Sequence, residues 1–345
     1  MNIIVLCGGL SAERDVSLST GVKAAIALKS KGHNVVLIDS FFGYQGKYEN
    51  AEDIFSEKYE IKEVAVGENA PDLETLLQSR KQGNDSRIGD NLIEVCRAAD
   101  IVFMALHGTD GEDGRIQAAF DLTGIKYTGT GSFGSGLAMN KNIAKKLLLQ
   151  NGILTPKSIL LDKADKEVED VGFPCVVKPT NGGSSIGTSI VTSKEGYASA
   201  LALAFQYDSS AVVEQYIKGR ECDVGVISGK ALPVIEICPK TGFYDYKNKY
   251  QVGLVDEICP ADLSTEITKK LQKAAEQVFQ ALCFEVYGRM DFILDESNEI
   301  WCLEGNTLPG LTNTSLLPQE AQAAGISYED LCELIVTESL KKYRS

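Results

Sequence analysis

The sequence predicts an α/β fold at the amino end, followed by smaller α+β units. Continuous apolar segments, each predicted to be a strand, cover 2–7, 34–39, 101–106 and 125–128. Between the first two, helical spacing of apolar residues predicts a helix over 16–31. Apolar strands separated by helices are typical of a parallel sheet covered on both faces. The stretch 41–90 is polar with weak periodicity, so we interpret it as an insertion with its own short elements.

The next elements mark the domain boundaries. A predicted helix over 140–150 ends at Asn151-Gly152 and is followed by Thr155-Pro156, which are typical stop signals. Short strands are then predicted at 174–178, 186–192 and 211–215, with a helix at 194–205 before the last of them. This pattern predicts a small α+β unit that ends near 219.

The remaining chain predicts strands at 222–227, 232–238, 285–294 and 299–304, and helices at 264–282 and 328–341. A Tyr- and Lys-rich loop at 241–253 has almost no apolar periodicity. We therefore expect three domains, over 1–151, 152–219 and 220–345. A length of 345 residues agrees with two or three domains of roughly 150 residues each.

Composition excludes several classes of protein. The formal net charge is 34 − 48 = −14, which disfavours a surface that binds nucleic acid. Two histidines are too few for a His-built metal centre, and nine dispersed cysteines without a Cys-x-x-Cys pair indicate reduced thiols. No stretch approaches the roughly 20 apolar residues of a membrane span. We expect a soluble, cytoplasmic protein with no membrane partner.

Two glycine-rich segments are candidate phosphate sites. Residues 129–134, GTGSFG, match the dinucleotide fingerprint, but no acidic residue follows about 20 positions later, which favours an ordinary turn. Residues 178–187, KPTNGGSSIG, lie between two predicted strands and can turn several backbone N–H groups toward one anion. Lys178 adds a point charge for phosphate. The alternative for this second segment is a plain hairpin connection.

A metal site is predicted on two neighbouring strands. Arg289 and Asp291 are two residues apart and share one strand face, as do Glu304 and Asn306 on the next strand. We expect Met290, Phe292, Trp301 and Leu303 on the buried opposite face. Oxygen ligands suit Mg²⁺, which binds through few carboxylates plus nucleotide phosphates. The alternative is a cross-strand salt bridge between Arg289 and Glu304.

Three further segments are candidates for the site. The loop 243–250, FYDYKNKY, is either a surface loop or a lid that carries Lys249 and Tyr250 over a site. Glu13 either meets a cationic amine or favours the amino terminus of the helix that follows. His107 follows a predicted parallel strand, where α/β sheets bind ligands, and a structural histidine is the competing interpretation.

Taken in order, these segments resemble the ATP-grasp superfamily and, within it, the D-alanine–D-alanine ligase family. The matching blocks are GGLSAERDVSL (8–18), ALHGTDGEDG (105–114), YTGTGSFGSGLAMNK (127–141), VVKPTNGGSSIG (176–187), VVEQYIKGRE (212–221), FYDYKNKY (243–250), GRMD (288–291) and LEGNTLPGLTNTSLLP (303–318). The resemblance covers the chain except 41–90. It implies an ATP-grasp fold, in which two domains sandwich ATP and the amino-terminal domain helps to hold the amino acids.

The resemblance also implies roles for residues that match the motifs. Lys141 and Lys178 contact ATP phosphates, assisted by Lys249. Glu214, Tyr216 and Ile217 line the adenine pocket, and Glu221 binds the ribose hydroxyls. Asp291, Glu304 and Asn306 hold two Mg²⁺ ions, for which Mn²⁺ is an expected substitute. For the amino acids, His107 is an expected substrate contact, and Glu13 pairs with the first ammonium group and links to Ser184 and Tyr250. Arg289 and the backbone of Gly310 face the reacting carbonyl, while Ser315 and Leu316 receive the second carboxylate.

The activity implied by the resemblance is ATP-dependent joining of two D-alanines through a D-alanyl phosphate, for peptidoglycan precursor synthesis. The family also implies a homodimer. Two alternatives remain open: a ligase of the same fold that makes D-alanyl-D-serine, and a non-catalytic nucleotide-binding regulator. The regulator is disfavoured because the arginine and metal positions are all present.

Overall fold

The computed structural model describes residues 1–56, 71–80, 86–163, 171–240, 255–312 and 314–344. Its strands are β1 (Asn2–Cys7), β2 (Asn34–Asp39), β3 (Ile101–Met104), β4 (Ser158–Asp162), β5 (Cys175–Pro179), β6 (Ser189–Val191), β7 (Ser210–Gln215), β8 (Gly219–Ile227), β9 (Lys230–Ala231), β10 (Ile235–Pro239), β11 (Val255–Ile258), β12 (Tyr287–Asp295) and β13 (Ile300–Asn306). Its α-helices are α1 (Arg14–Ser30), α2 (Leu73–Ser79), α3 (Leu92–Arg97), α4 (Arg115–Thr123), α5 (Ser132–Met139), α6 (Lys141–Gln150), α7 (Lys194–Tyr207), α8 (Thr265–Ala281), α9 (Leu316–Ala323) and α10 (Tyr328–Lys341).

A parallel sheet in the order β2-β1-β3 forms the amino-terminal layer. Its apolar strands lie in a core that α1 helps to close, which confirms the predicted α/β layer. The predicted strand at 125–128 is wrong as a regular strand, because only Tyr127 forms a parallel bridge, to Val102. Side-chain hydroxyls bind two backbone N–H groups that a regular strand pair would have bonded to carbonyl oxygens. The Thr128 hydroxyl accepts from the Met104 N–H, and the Tyr343 hydroxyl accepts from the Tyr127 N–H.

Two antiparallel sheets follow, as an ATP-grasp fold requires. The first has the order β4-β7-β5-β6, and α7 packs on it. The second runs β11-β10-β8-β12-β13, with β9 paired to β8, and α8 closes its core. Strands β4 and β11 and helix α9 were not predicted from the sequence, and the predicted loop at 241–253 lies outside the described residues.

The carboxyl-terminal helix returns to the amino-terminal layer. Leu331, Ile335 and Val336 of α10 are fully buried in the same core as Ile4 of β1. The chain end therefore packs across the first layer, and the domain limits 1–151, 152–219 and 220–345 remain a prediction.

Two expectations from composition can be compared with the structure. All nine cysteines are described and have free thiols, as predicted. Within the described ranges, no helix combines the length and the apolar character that crossing a bilayer requires.

Candidate active site

A cavity of about 440 Å³ lies between the two antiparallel sheets. A smaller one, of about 70 Å³, lies beside it, and Gly183 and Glu304 line both. Of the residues predicted from the sequence, the larger cavity is lined by Lys141, Lys178, Glu214, Tyr216, Ile217, Glu221, Asp291 and Glu304. The smaller is lined by Glu13, His107, Ser184, Arg289, Asn306, Gly310, Ser315 and Leu316. Lys249 and Tyr250 lie outside the described residues.

A buried carboxylate in the larger cavity's wall pairs with two buried lysines. Glu214 of β7 is 2% exposed and forms ion pairs with Lys178 at 2.6 Å and with Lys145 at 2.8 Å. Burial alone would raise the pKa of Glu214, but the two ammonium groups outweigh it and hold that pKa below its usual value. The carboxylate that the resemblance places beside adenine is therefore held by two lysines, and one of them, Lys178, begins the glycine-rich segment 178–187.

The glycine-rich segment 178–187, called the phosphate loop below, connects two strands of a hairpin and also lines the larger cavity. It joins the antiparallel strands β5 and β6, and Gly182, Gly183 and Ser185 face the larger cavity. Ser184 and Ser185 have φ of 51° and 57°, so the loop turns through left-handed backbone geometry. The Lys141 ammonium donates to the Gly182 carbonyl oxygen at 2.5 Å, which attaches α6 to the loop.

The predicted carboxylate pair meets across β12 and β13. Asp291 lies opposite Glu304, and Arg289 lies opposite Asn306. The Asn306 amide donates to Asp291 Oδ2 at 3.0 Å, and Glu304 lies 3.5 Å from the Lys141 ammonium. Both carboxylates thus face the side of the cavity where two lysines would hold phosphates.

One part of the strand prediction is wrong. A register shift follows Asp291, where Phe292 pairs with Cys302 and leaves Leu303 as an extra residue. Cys302 is therefore fully buried in the core beside Met290 and Phe292, while Leu303 lines the larger cavity. Trp301 is only half-buried, and its indole N–H donates to Asp295.

Arg289 lies between two aspartates. Its guanidinium donates to both oxygens of Asp291, at 2.8 and 2.9 Å, and its Nε lies 3.0 Å from Asp223. Asp223 is 1% exposed, and its position opposite Asp291 on β8 explains why the sequence does not reveal it. Glu304, the alternative partner of Arg289 in the sequence analysis, forms an ion pair with Lys141 at 3.5 Å.

The smaller cavity gathers groups from distant parts of the chain. The Ser184 hydroxyl donates to Glu13 at the start of α1, so the phosphate loop and the amino-terminal domain are joined there. Opposite, Ser315 precedes α9, and its hydroxyl oxygen accepts from the Thr312 N–H at 2.9 Å. Ser315 makes no side-chain cap to α9, and Leu316, the first residue of that helix, also lines the cavity. The amino terminus of a helix at this position favours a carboxylate.

Both ring nitrogens of His107 have protein partners. Nδ1 donates to the Leu308 carbonyl oxygen at 3.0 Å, and Nε2 is 3.0 Å from the Thr20 hydroxyl. The ring thereby joins α1 to the segment that leads to Gly310. This geometry agrees with the structural interpretation of His107 that the sequence left open.

Sequence reasoning missed several charged residues near the site. They are Lys145, Glu112, Asp223 and Glu320, all of which are buried or nearly so. Lys145 alone had an available signal, since it lies one helical turn after Lys141. Strand pairing brings Asp223 to the site, loop packing brings Glu112, and the packing of α9 against β8 brings Glu320. No periodicity in the sequence signals these contacts.

Family models match almost the whole chain. The model described as "D-ala D-ala ligase N-terminus" matches residues 2–130, and "D-ala D-ala ligase C-terminus" matches residues 149–337. The D-alanine–D-alanine ligase of Lacticaseibacillus casei is 42% identical over 99% of this chain and 97% of its own. That of Pediococcus pentosaceus is 44% identical over 99% of both chains.

Solved structures agree with the sequence matches. The ATP complex of the Bacillus anthracis D-alanine–D-alanine ligase is 32% identical, with a TM-score of 0.76 over 99% of this chain and 98% of that one. The Enterococcus faecalis VanG D-Ala:D-Ser ligase is 29% identical, with a TM-score of 0.75 over 98% of this chain and 99% of that one. The fold, the site and these matches together show that the chain is a member of the D-alanine–D-alanine ligase family, an ATP-grasp group of enzymes.

Proposed function

We propose that this chain joins two D-alanines into D-alanyl-D-alanine, with ATP converted to ADP and phosphate, for peptidoglycan precursor synthesis. The observation that carries the proposal is the pair of cavities with a common wall at Gly183 and Glu304. The larger has the volume and the lysines for a nucleotide, while the smaller has charged and hydroxyl groups suited to small zwitterions. A γ-phosphate in the first would therefore lie next to a carboxylate in the second.

The first step activates the carboxylate of one D-alanine. A carboxylate is a poor electrophile, so it takes the γ-phosphoryl group of ATP and becomes an acyl phosphate. Lys141 and Lys178 bind the phosphates and neutralise the charge that gathers on them, as phosphoryl transfer requires. Glu13, positioned by the Ser184 hydroxyl, pairs with the ammonium group of this D-alanine. Tyr216, Ile217 and Glu221 hold the nucleoside.

The second step forms the amide bond. The amine of the other D-alanine attacks the acyl phosphate, with its carboxylate held at Ser315 and Leu316 where α9 begins. Arg289 and the Gly310 N–H stabilise the oxyanion that develops on the carbonyl. Phosphate then leaves. The lid with Lys249 and Tyr250 keeps water from the acyl phosphate.

Asp291, Glu304 and Asn306 fit a magnesium site in which the protein supplies only some of the ligands. Among the described residues no three His, Cys, Asp or Glu side chains converge on one point. The ligands that the protein would supply are two carboxylates and one amide. Mg²⁺ is commonly held by one or two carboxylates together with phosphates. When bound, two such ions, or Mn²⁺ in their place, supply positive charge for the phosphoryl oxygens.

The test is phosphate release from Mg·ATP with D-alanine alone and then with D-serine or D-lactate added, each product being weighed by mass spectrometry. We expect D-alanyl-D-alanine. A preference for the mixed D-serine product would instead place the chain with ligases such as VanG. Absence of phosphate release with every substrate would contradict the proposal and favour a nucleotide-binding regulator.

We also propose that the protein is a cytoplasmic homodimer, as the family resemblance implies. Sedimentation equilibrium at micromolar protein is expected to give twice the chain mass of 37.3 kDa. A mass equal to that of one chain would contradict the dimer.

A further inference from the structure

The second step of the proposed reaction needs a base that no role above supplies. An α-ammonium group has no lone pair, so the second D-alanine must lose a proton before its nitrogen can attack. Among the residues that the structure describes, three carboxylates line the smaller cavity: Glu13, Glu304 and Glu112. Glu13 is bonded by Ser184, and Glu304 faces Lys141 and the phosphates.

Glu112 has the position that such a base requires. It lines the same small cavity as Arg289, Gly310 and Ser315, where the second D-alanine is proposed to bind. Its loop is fixed after β3, because the Glu112 N–H donates to the Gly108 carbonyl oxygen at 2.9 Å. Its side chain is only 15% exposed, so the carboxyl group faces the cavity rather than bulk water.

His107 is the neighbouring candidate base, but both of its ring nitrogens have hydrogen-bond partners in the protein. Its Nδ1 carries the proton that is donated to the Leu308 carbonyl oxygen, and that oxygen can only accept. Its Nε2 lies against the Thr20 hydroxyl, on the side of α1. Neither nitrogen is therefore left to take a proton from a substrate.

We infer that the Glu112 carboxylate takes a proton from the ammonium group of the second D-alanine and so frees the lone pair with which its nitrogen attacks. The inference rests on the proposed function. A C–N bond forms, and the C–O bond to phosphorus-bound oxygen breaks with its electron pair on phosphate. Of the three ammonium hydrogens, one stays on the amide, one passes to Glu112 and one leaves on inorganic phosphate.

The charges around Glu112 suit this role. Burial, with repulsion from Glu13, raises the pKa of Glu112 to about 7, while His107 at 3.7 Å and Arg289 oppose the rise. The Tyr287 side chain also interacts electrostatically with Glu112. A general base is most effective when its pKa lies near the working pH.

The test compares two nucleophiles in the holoenzyme with Mg·ATP and D-alanine. Hydroxylamine is uncharged at neutral pH and traps the acyl phosphate as a hydroxamate without needing a base. In Glu112→Gln we expect dipeptide formation to fall on the order of 10²–10⁴-fold while hydroxamate formation is unchanged. A parallel loss of both products would overturn the inference, because it would place Glu112 in the first step or in folding.

The pH profile gives an independent readout. In the unmodified enzyme, kcat/KM for the second D-alanine should fall below about pH 7, and hydroxamate formation should not. In Glu112→Gln this fall in kcat/KM near pH 7 should disappear, and dipeptide formation should recover at alkaline pH. If dipeptide and hydroxamate formation in the unmodified enzyme both fall below about pH 7, the inference is overturned. This result does not depend on whether the variant folds. An unmodified enzyme that forms no dipeptide would overturn the proposed function itself, and the inference with it.

Discussion

The buried carboxylate of Glu214 provides the most stringent test of how the larger cavity is built. Replacing it with glutamine keeps the side-chain volume and removes the negative charge between Lys145 and Lys178. These two lysine side chains are only 3% and 9% exposed, so water cannot take over the neutralising role of Glu214. The variant therefore leaves two ammonium groups close together in a poorly solvated part of the protein.

The expected loss of stability in Glu214→Gln is large for a change of so few atoms. Removing one partner of a buried ion pair costs about 3–5 kcal/mol, because the charge left behind has lost both its partner and its water. We expect Glu214→Gln to lower the free energy of unfolding by about that amount at pH 7. Bound Mg·ATP should restore part of it, since its phosphates bring negative charge to Lys178.

Urea denaturation with and without Mg·ATP measures both effects. The matched control is Glu296→Gln, which removes the partner of Lys218 from a pair whose side chains are 79% and 81% exposed. Such a surface pair contributes little, so the control should unfold with the unmodified protein. If Glu214→Gln unfolds together with the control, the argument from burial is refuted.

The same carboxylate predicts a pH dependence. The pKa of Glu214 is lower in the folded protein than in the unfolded chain, so the stabilisation is present above the unfolded value of 4.5. It is lost as pH falls through the lower folded value. The acid-induced loss of stability should therefore be smaller in Glu214→Gln than in the unmodified protein.

Three further predictions concern other parts of the site. Glu304→Gln should abolish Mg²⁺-dependent phosphate release with an unchanged circular dichroism spectrum, and retained activity would contradict its metal role. Tyr250→Phe should raise the apparent KM for the first D-alanine in steady-state kinetics, because the proposed link of Tyr250 to Glu13 needs its hydroxyl group, and unchanged kinetics would remove that role. Burial raises the pKa of Glu320 to about 8, so the folded state binds more protons than the unfolded chain between pH 4.5 and 8. Glu320→Gln does not titrate and should thus gain stability relative to the unmodified protein from pH 5 to pH 8 in urea titrations, whereas a constant difference would contradict the burial effect.

The sequence by itself determines the local elements and the chemical character of the site. The apolar segment at 2–7 and the helix at 328–341 appear in the structure with the predicted bounds. These elements are predictable because apolar periodicity and turn residues act over a few neighbouring positions. The carboxylates of Asp291 and Glu304 are predictable as a pair for the same reason, since a short turn joins their strands.

Only the tertiary structure decides which side chains face the larger cavity and which ones meet in the protein interior. The extra residue in β13 moves Leu303 to the cavity and Cys302 to the core, and nothing in the residues around it signals this shift. Lys145 and Glu214 are far apart in sequence and meet only because α6 packs against the sheet that contains β7. Their pairing depends on burial and on long-range packing, which a pattern of neighbouring residues does not encode.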